Sequence, residues 1–257
     1  MKKIKLGLPL EYQKRPEYFD AHNVNEDTAA KNAVIESLLR KYKVKSVLDL
    51  TCGTGSQVFF LTERGYNVTG ADFSPALLDI ARNRALREKI DVQFIDGDMR
   101  TLKVGQYDAV ITIFNAVGHL TKEGFEKAMR NIHRNLKDGG LYIFDIFNLD
   151  AMTDPVVTDL AMCVQKEVNG TRVYTIQCST LDRTNGILTS YDHYVLQKNV
   201  EKPESFNHKF SLQLYTAKEL KEMLAKNGFE VLGQYGLDGT EFVADKTMNI
   251  LSVARKI

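Results

Sequence analysis

Apolar residues in the first part of the chain follow two patterns that alternate regularly. Short runs of apolar and β-branched residues predict strands, at residues 46–50, 68–71, 92–95, 107–113 and 141–145. Apolar residues at helical spacing precede and separate these runs and predict helices, at residues 28–42, 56–64, 76–86 and 125–136. Ser74 and Pro75 start the third helix, and Asp138-Gly139-Gly140 ends the fourth. Such alternation predicts a parallel, doubly wound sheet with right-handed crossovers.

The pattern changes after about residue 154. Two predicted strands flank Asn169-Gly170, a dipeptide typical of tight hairpin turns. The strands of this region are predicted at residues 164–168, 172–181, 187–196 and 208–214, with a polar connection at 201–207. A helix capped by Thr216 and two further strands then return to the main sheet, at residues 217–227, 229–235 and 248–254. The predicted fold is α/β: a doubly wound, Rossmann-like, mostly parallel seven-stranded sheet with an antiparallel β-flap inserted after strand five.

The composition mainly argues against a nucleic-acid-binding, a membrane-spanning or a disulfide-rich protein. The chain has 257 residues, of which 44% are hydrophobic and 26% charged, and its net charge is +1. A near-neutral chain has no broad phosphate-binding surface, so nucleic acid is not the expected partner. No apolar run is long enough to cross a bilayer, and the N-terminus lacks the apolar stretch of a signal peptide. The three cysteines lack CxxC spacing, so we expect a cytoplasmic protein with free thiols.

The first strand, a glycine loop and a helix form a nucleotide-type binding corner. Gly53 and Gly55 allow a ligand to approach the backbone closely, and the start of the helix offers free N–H groups. A dinucleotide fingerprint requires a third glycine at position 58, where this chain has Val58. Asp49 precedes the glycines, where it would repel a pyrophosphate and attract an amino group. The corner therefore favours a cationic ligand without phosphates.

Two further acids follow the next two strands. Asp72 ends strand two, where a carboxylate can accept both hydroxyls of a ribose. Asp98 follows strand three, where it could accept the exocyclic amine of adenine. Either aspartate alone could be a turn or cap residue, because aspartate favours such positions. Three acids at three successive strand ends are harder to explain as caps, and together they indicate a ligand with an amine, a ribose and an adenine.

The motifs VLDLTCGTG at 47–55, GADFSP at 70–75 and DGDM at 96–99 resemble the first three motifs of the class I S-adenosylmethionine-dependent methyltransferases. YDAV at 107–110 and LKDGGL at 136–141 resemble the next two. The resemblance implies S-adenosyl-L-methionine as cofactor, with no metal. It also implies a cofactor site formed by Asp49, Thr51, Gly53, Gly55, Asp72, Phe73, Asp98, Met99 and Phe114. The N-terminal segment also contains Tyr12, Phe19 and His22, and Asn25 or Asp27 is predicted to cap the first helix. In this segment Tyr18 and Lys31 are predicted lid contacts to the cofactor carboxylate.

The sequence FNAVGHL at 114–120 resembles the glycine and glycine/sarcosine N-methyltransferases. That resemblance implies that Asn115 and His119 face the methyl-transfer centre, with His119 as base or orienting group. Those enzymes have an arginine for the substrate carboxylate where this chain has Phe147, although Arg172 or Arg183 of the flap could substitute. We therefore expect a small-molecule acceptor with an apolar or aromatic side that fits Phe114, Phe147 and Tyr191, and most simply a small amine.

The sequence leaves three other functions open. They are O-methylation of a small metabolite, methylation of a nucleic acid such as tRNA, and S-adenosylmethionine binding without catalysis. The Asn-Pro-Pro-Tyr loop of amino-methylating DNA enzymes is absent after strand four. The predicted organisation has an N-terminal lid segment and cofactor-binding core at 1–154, an antiparallel β insertion over the active site at 155–214, and a final helix and strands at 215–257.

Overall fold

The computed structural model describes residues 6–9, 12, 14–20, 24 and 27–257. His22 and Asn25, both considered above, lie outside these residues. Strands within the described part are β1 (Ser46–Asp49), β2 (Asn67–Asp72), β3 (Gln93–Asp96), β4 (Tyr107–Thr112), β5 (Leu136–Phe147), β6 (Met162–Val168), β7 (Thr171–Asp182), β8 (Ile187–Lys198), β9 (Glu204–Gln213), β10 (Phe229–Tyr235) and β11 (Asn249–Lys256).

These strands form two sheets. The larger one has seven strands in the order β10-β11-β5-β4-β1-β2-β3, and the smaller one has four in the order β6-β7-β8-β9. Strands β1 to β5 pair in parallel, while β11 runs antiparallel to β5 and β10 to β11. The predicted fold class is confirmed. Strand order reverses between β1 and β4, which is where open α/β sheets bind ligands beyond the carboxyl ends of their strands.

Helices cover both faces of the larger sheet. They are α1 (Asp27–Lys41), α2 (Ser56–Thr62), α3 (Pro75–Glu88), α4 (Lys122–Asn135), α5 (Asp154–Asp159) and α6 (Ala217–Lys226), with 3-10 turns at Pro16–Tyr18, Ala116–His119 and Leu149–Ala151. The Ser74 and Thr216 side chains cap α3 and α6 as predicted, by accepting N–H groups of the first turn. Strands β1, β2 and β4 are buried over most of their length, because helices lie on both sides.

Two strands begin well before their predicted first residues. Strand β5 begins at Leu136, not at 141, because Leu136 pairs with Tyr107 before the register shifts. Strand β9 begins at Glu204, within the stretch predicted to be a polar connection. Its first residues pair with β8, and their exposed side tolerates polar side chains.

The smaller sheet is an antiparallel flap with one buried face. Along β8, buried and more exposed residues alternate, as expected when one face lies against the rest of the protein. Asn169 and Gly170 both have positive φ, 51° and 75°, which is the geometry of a tight hairpin turn. In the part of the chain that the structure describes, no helix is both long and apolar enough to span a membrane.

Candidate active site

A cavity of about 280 Å³ lies at the carboxyl ends of β1, β2 and β4. We distinguish two ends by their lining. The polar end comprises residues 51–54, 56–57, 72–73 and 98–100. The apolar end comprises residues 6–8, 12, 113–114, 116 and 119–121. The two ends therefore draw on different parts of the chain.

The glycine loop forms the floor of the polar end. Gly53 and Gly55 have positive φ, 52° and 93°, a conformation that side-chain-bearing residues rarely adopt. A Cβ at Gly55 would lie 2.6 Å from the Phe59 ring, and one at Gly53 would lie 3.1 Å from the Phe19 ring. Glycine at both positions thus lets the loop turn tightly beneath an aromatic residue of the N-terminal segment.

Asp49, at the end of β1, is buried with an unsatisfied oxygen. Its Oδ1 accepts the backbone N–H of Thr51 at 3.1 Å, whereas Asp49 Oδ2 and Thr51 Oγ1 have no hydrogen-bond partner among the described residues. Burial raises the pKa of Asp49 to about 7, against the stabilising N–H of Thr51. Buried polar atoms nearly always have a hydrogen-bond partner, so these two oxygens indicate that a bound ligand donates hydrogen bonds here.

Asp72, at the end of β2, is held by the backbone on both oxygens. Oδ2 accepts the N–H of Gly53 at 2.9 Å, and Oδ1 accepts the N–H of Ser74 at 2.9 Å. Burial raises its pKa to about 6, which the backbone N–H groups oppose. Each carboxylate oxygen has a second lone pair, so Asp72 can still accept two hydroxyls. The next residue, Phe73, lies parallel to the Tyr12 ring with centroids 6.2 Å apart.

Asp98 lines the cavity as an ionised carboxylate. The Arg100 guanidinium and backbone N–H both donate to it, at 2.9 Å from Nε and 2.8 Å from N to Oδ1. The hydrogen bonds from the Arg100 side chain lower the pKa of Asp98. A ligand amine at Asp98 would therefore share this carboxylate with Arg100, which also lines the cavity.

His119 stands at the apolar end among aromatic rings. Its ring centroid is 5.1 Å from that of Tyr12 and 6.4 Å from that of Phe210 in β9. Burial lowers the pKa of His119 to about 4, and Nδ1 has no hydrogen-bond partner in the described structure. The imidazole is therefore neutral at physiological pH, and it can accept a hydrogen bond.

The N-terminal segment closes the cavity by bridging the flap and the core. The Leu6 carbonyl accepts the N–H of Ser211 in β9, and the Tyr12 carbonyl accepts the Ser74 hydroxyl at the start of α3. Closer to the glycine loop, the Thr54 hydroxyl donates to Asp20 at 2.6 Å. This segment therefore forms a shared wall of the polar and apolar ends.

Comparison with known proteins decides the class of this site. Residues 47–140 match the methyltransferase domain family, and this stretch contains the glycine loop, Asp72 and Asp98. Residues 47–140 are a methyltransferase domain, and the chain is an S-adenosylmethionine-dependent methyltransferase.

Relatives and solved structures agree with this class. A glycine/sarcosine N-methyltransferase from Parasynechococcus marenigrum is 35% identical over 125 residues, or 46% of this chain and 43% of that protein. An S-adenosylmethionine-dependent methyltransferase from Clostridium acetobutylicum superposes with a TM-score of 0.77 at 17% identity, over 93% of this chain and 96% of the other. An S-adenosylmethionine-bound amino pentose methyltransferase from Micromonospora echinaspora gives 0.73 at 21% identity, over 92% and 94%. The structural likeness thus takes in the flap as well as the core.

S-adenosylmethionine fits the residues of the polar end. An ammonium group would satisfy the unpaired oxygens of Asp49 and Thr51, and two ribose hydroxyls match the remaining lone pairs of Asp72. Phe73 offers an aromatic face to a purine, and Asp98 offers an ionised acceptor to its amine. No group of acids, cysteines or histidines among the described residues has the arrangement of a metal site.

Several predicted site residues do not line the cavity. Asp49 and Gly55 lie in the floor just described. Tyr18 is buried in a cluster with Val173 and Tyr194 of the flap. Lys31 on α1 has its ammonium 6.0 Å from the centroid of the Phe114 ring, which does line the cavity. In this structure neither Tyr18 nor Lys31 reaches the cavity wall, and their contact with the cofactor stays a prediction.

Asn115 is also not among the residues that line the cavity. Its Oδ1 accepts the backbone N–H of Phe147 at 3.0 Å, and the side chain is buried. Phe147 itself packs in the apolar cluster at the base of the flap. Asn115 is expected at the methyl-transfer centre and Phe147 beside the acceptor. In the structure their hydrogen bond joins the end of β4 to the end of β5, and the catalytic role of Asn115 stays a prediction.

Sequence reasoning missed Tyr12 and Arg100 as cavity residues. Tyr12 lies in an irregular segment without periodicity, and only its aromatic neighbours in sequence drew attention to it. Arg100 directly follows the motif at 96–99, and a positive charge beside Asp98 was a usable signal. Leu6 and Leu8 carried no signal, because their contacts are with β9, about 200 residues later.

Proposed function

We propose that this methyltransferase N-methylates a small amine whose body carries no charge. The observation that supports this most strongly is the lining of the apolar end. Its side chains are apolar or aromatic apart from neutral His119 and Thr121. The charged lining residues of the described cavity, Asp72, Asp98 and Arg100, all belong to the polar end.

The position of the flap arginines argues against a carboxylate substrate. Arg183 donates to the Met152 carbonyl at 2.5 Å and pairs with Asp154. Arg172 is exposed and donates to the Asn199 carbonyl. With Phe147 in an apolar cluster, none of the three positions considered for a carboxylate clamp provides one.

His119 is suited to an amine more than to a hydroxyl. A base whose conjugate acid has a pKa near 4 removes a hydroxyl proton poorly. A neutral imidazole can instead accept an N–H hydrogen bond and orient the amine lone pair. S-adenosylmethionine, when bound, supplies a methyl group on a sulfonium. The chain's part is then to align the acceptor and to exclude water, which His119, Tyr12 and Phe210 do by enclosing the apolar end.

Two similar proteins give independent support for an amine. One is named a glycine/sarcosine N-methyltransferase, and the other is an amino pentose methyltransferase. The apolar end of this chain suits the uncharged body of an amino sugar or arylalkylamine better than the carboxylate of glycine.

A panel of acceptors tests this proposal. Amino sugars, benzylamine, phenethylamine, glycine, sarcosine and catechol would each be incubated with S-adenosylmethionine, with S-adenosylhomocysteine and the methylated product measured by mass spectrometry. We expect turnover of at least one uncharged-bodied amine and none of glycine or sarcosine. Saturable turnover of glycine or sarcosine, or turnover of hydroxyl compounds alone, would contradict the proposal. Salt-resistant binding and methylation of tRNA would replace it with a nucleic-acid function.

A further inference from the structure

Two consecutive residues at the end of β4 adopt a left-handed backbone. Phe114 has φ 61° and Asn115 has φ 56°, and neither is glycine. Residues with a side chain are strained in this conformation, and they persist in it only where the surroundings hold them. The pair leads directly into the 3-10 turn Ala116–His119, so its conformation sets the direction in which His119 leaves the sheet.

The surroundings that hold this pair centre on Asp145 of β5. Asp145 is fully buried, and its Oδ2 accepts the backbone N–H of Asn115 at 3.1 Å. Asn249 of β11 donates to the same oxygen at 3.3 Å. Burial raises the pKa of Asp145 to about 6, while the N–H groups of Asn115 and Phe114 oppose that rise. Burying a carboxylate costs free energy unless hydrogen bonds compensate for the lost water, and one of the hydrogen bonds that compensate here comes from the strained turn.

A second hydrogen bond runs in the opposite direction. Asn115 Oδ1 accepts the N–H of Phe147, two residues after Asp145, and the N–H of Gly118 donates to the Asn115 carbonyl. A Cβ at Gly118 would lie 2.7 Å from the Asn115 amide, so the turn folds closely over this side chain. The turn is thus hydrogen-bonded to β5 through both the backbone and the side chain of Asn115.

We propose that Asp145 is a positioning residue that holds Phe114 and Asn115 in the left-handed conformation and thereby places His119 at the apolar end of the cavity. Asp145 does not line the cavity and acts through the turn. Its importance for methyl transfer rests on the proposed function of His119, whereas its control of the position of His119 does not.

The first test measures the environment of His119 without any substrate. NMR titration of the His119 ring, assigned with His119→Gln, is compared in the wild type, Asp145→Asn, Asp145→Ala and Tyr142→Phe. Asp145→Asn keeps the shape and one acceptor but puts an amide nitrogen in place of the other oxygen. Tyr142→Phe is the control, because it removes a buried hydrogen bond to Thr112 elsewhere in the same core.

In both Asp145 variants we expect the His119 pKa to rise by at least about one unit towards its ordinary value of roughly 6.5, because a relaxed turn exposes the ring to water. Loss of the negative charge alone would move the pKa in the opposite direction. The control should leave the titration unchanged. An unchanged His119 titration in folded Asp145→Asn or Asp145→Ala would overturn the proposal, as would an equal shift in Tyr142→Phe.

The second test measures turnover with an amine accepted by the wild type. We expect Asp145→Asn to lower kcat about tenfold, since small misplacements of an aligning group are costly, with the cofactor Kd changed less than threefold. If the His119 titration shifts but kcat does not fall, Asp145 positions His119 as proposed, and the role of His119 in the proposed function is wrong. If kcat falls without a shift of the titration, the positioning proposal is wrong.

Discussion

The polar and apolar ends of the cavity are built by different means. At the polar end and in its floor, three carboxylates lie at or just after the ends of consecutive strands, and each lies within a short motif in the sequence. At the apolar end, the wall combines the N-terminal segment, the turn after β4 and, through Phe210 against His119, the flap. The polar end offers specific hydrogen bonds to one ligand. The apolar end offers an apolar wall and, in His119, a neutral hydrogen-bond acceptor.

If the polar end binds the cofactor and the apolar end the acceptor, as proposed, this difference would let one fold keep its cofactor and change its substrate. The acids of the polar end are fixed by backbone N–H groups of the core, such as those of Gly53 and Ser74 on Asp72. The apolar end has no comparable charged anchor in the described residues. Its selectivity depends on contacts between segments distant in the chain, which can vary without disturbing the core.

The largest effect is expected from Asp72→Ala at the polar end. Two charge-assisted hydrogen bonds to the ribose would be lost, so we expect the S-adenosylmethionine Kd to rise about 100-fold. Isothermal titration calorimetry measures it, with Asp79→Ala as control because Asp79 lies on the exposed face of the following helix, α3. A Kd within threefold of the wild type would show that Asp72 does not hold the cofactor.

Gly55→Ala should damage the polar end through the backbone. The φ of 93° and the close Phe59 ring predict a loss of about 2–3 kcal/mol in the free energy of unfolding. Gly139 also has positive φ, 72°, but open space around it, so Gly139→Ala should cost only about 1 kcal/mol. Urea denaturation compares the two. Equal losses would mean that the packing of Phe59 against the loop contributes nothing.

Tyr12→Ala should affect both ends of the cavity, because the Tyr12 ring contacts residues of each. It lies against Phe73 at the polar end and His119 at the apolar end. Aromatic contacts of this kind are worth roughly 0.5–1.5 kcal/mol, so we expect both the cofactor Kd and the transfer rate to worsen about three- to tenfold. Tyr191, which the sequence predicted beside the acceptor, is exposed on the flap and does not line the cavity, so Tyr191→Ala serves as control. An effect on only one of the two quantities would assign Tyr12 to that end.

The smallest effect is expected from pH. With a folded pKa near 4, His119 stays neutral, so the ratio of wild-type to His119→Gln transfer rates should stay within about twofold from pH 6 to 8. Because the folded pKa lies below the unfolded value, the wild type should lose stability relative to His119→Gln as pH falls from about 6.5 towards 4. A rate ratio that falls tenfold near pH 6.5 would show that the imidazole titrates in the working enzyme.

The sequence indicated cavity residues more directly at the polar end than at the apolar end, for a physical reason. Asp72, Phe73 and Asp98 lie at the ends of short strands, where local pattern fixes position, and the structure places all three on the cavity wall. Tyr18 is a predicted lid contact, whereas Tyr12 of the same segment lines the cavity, because an irregular segment gives no period from which to infer the direction of a side chain. Tyr18 proved to be packed against the flap.

Asn115 and Asp145 show a further limit of sequence reasoning. The motif that contains Asn115 drew attention to its side chain as a catalytic group. In the structure its Oδ1 accepts an N–H of the β5 backbone, and its catalytic role stays a prediction. Asp145, to which the sequence assigned no role, accepts the N–H of Asn115. Such a contact joins residues about 30 positions apart across two strands, and no spacing within either strand indicates it.

The separation of the two ends is tested most directly on one protein, His119→Ala. The dissociation constant for S-adenosylmethionine and the single-turnover transfer rate to an accepted amine would be measured on the same preparation. We expect the Kd to stay within about threefold of the wild type and the rate to fall at least tenfold, since an orienting or acid–base group typically contributes 10²–10⁴-fold. A Kd that rises in step with the fall in rate, or a rate that does not change, would contradict the separation.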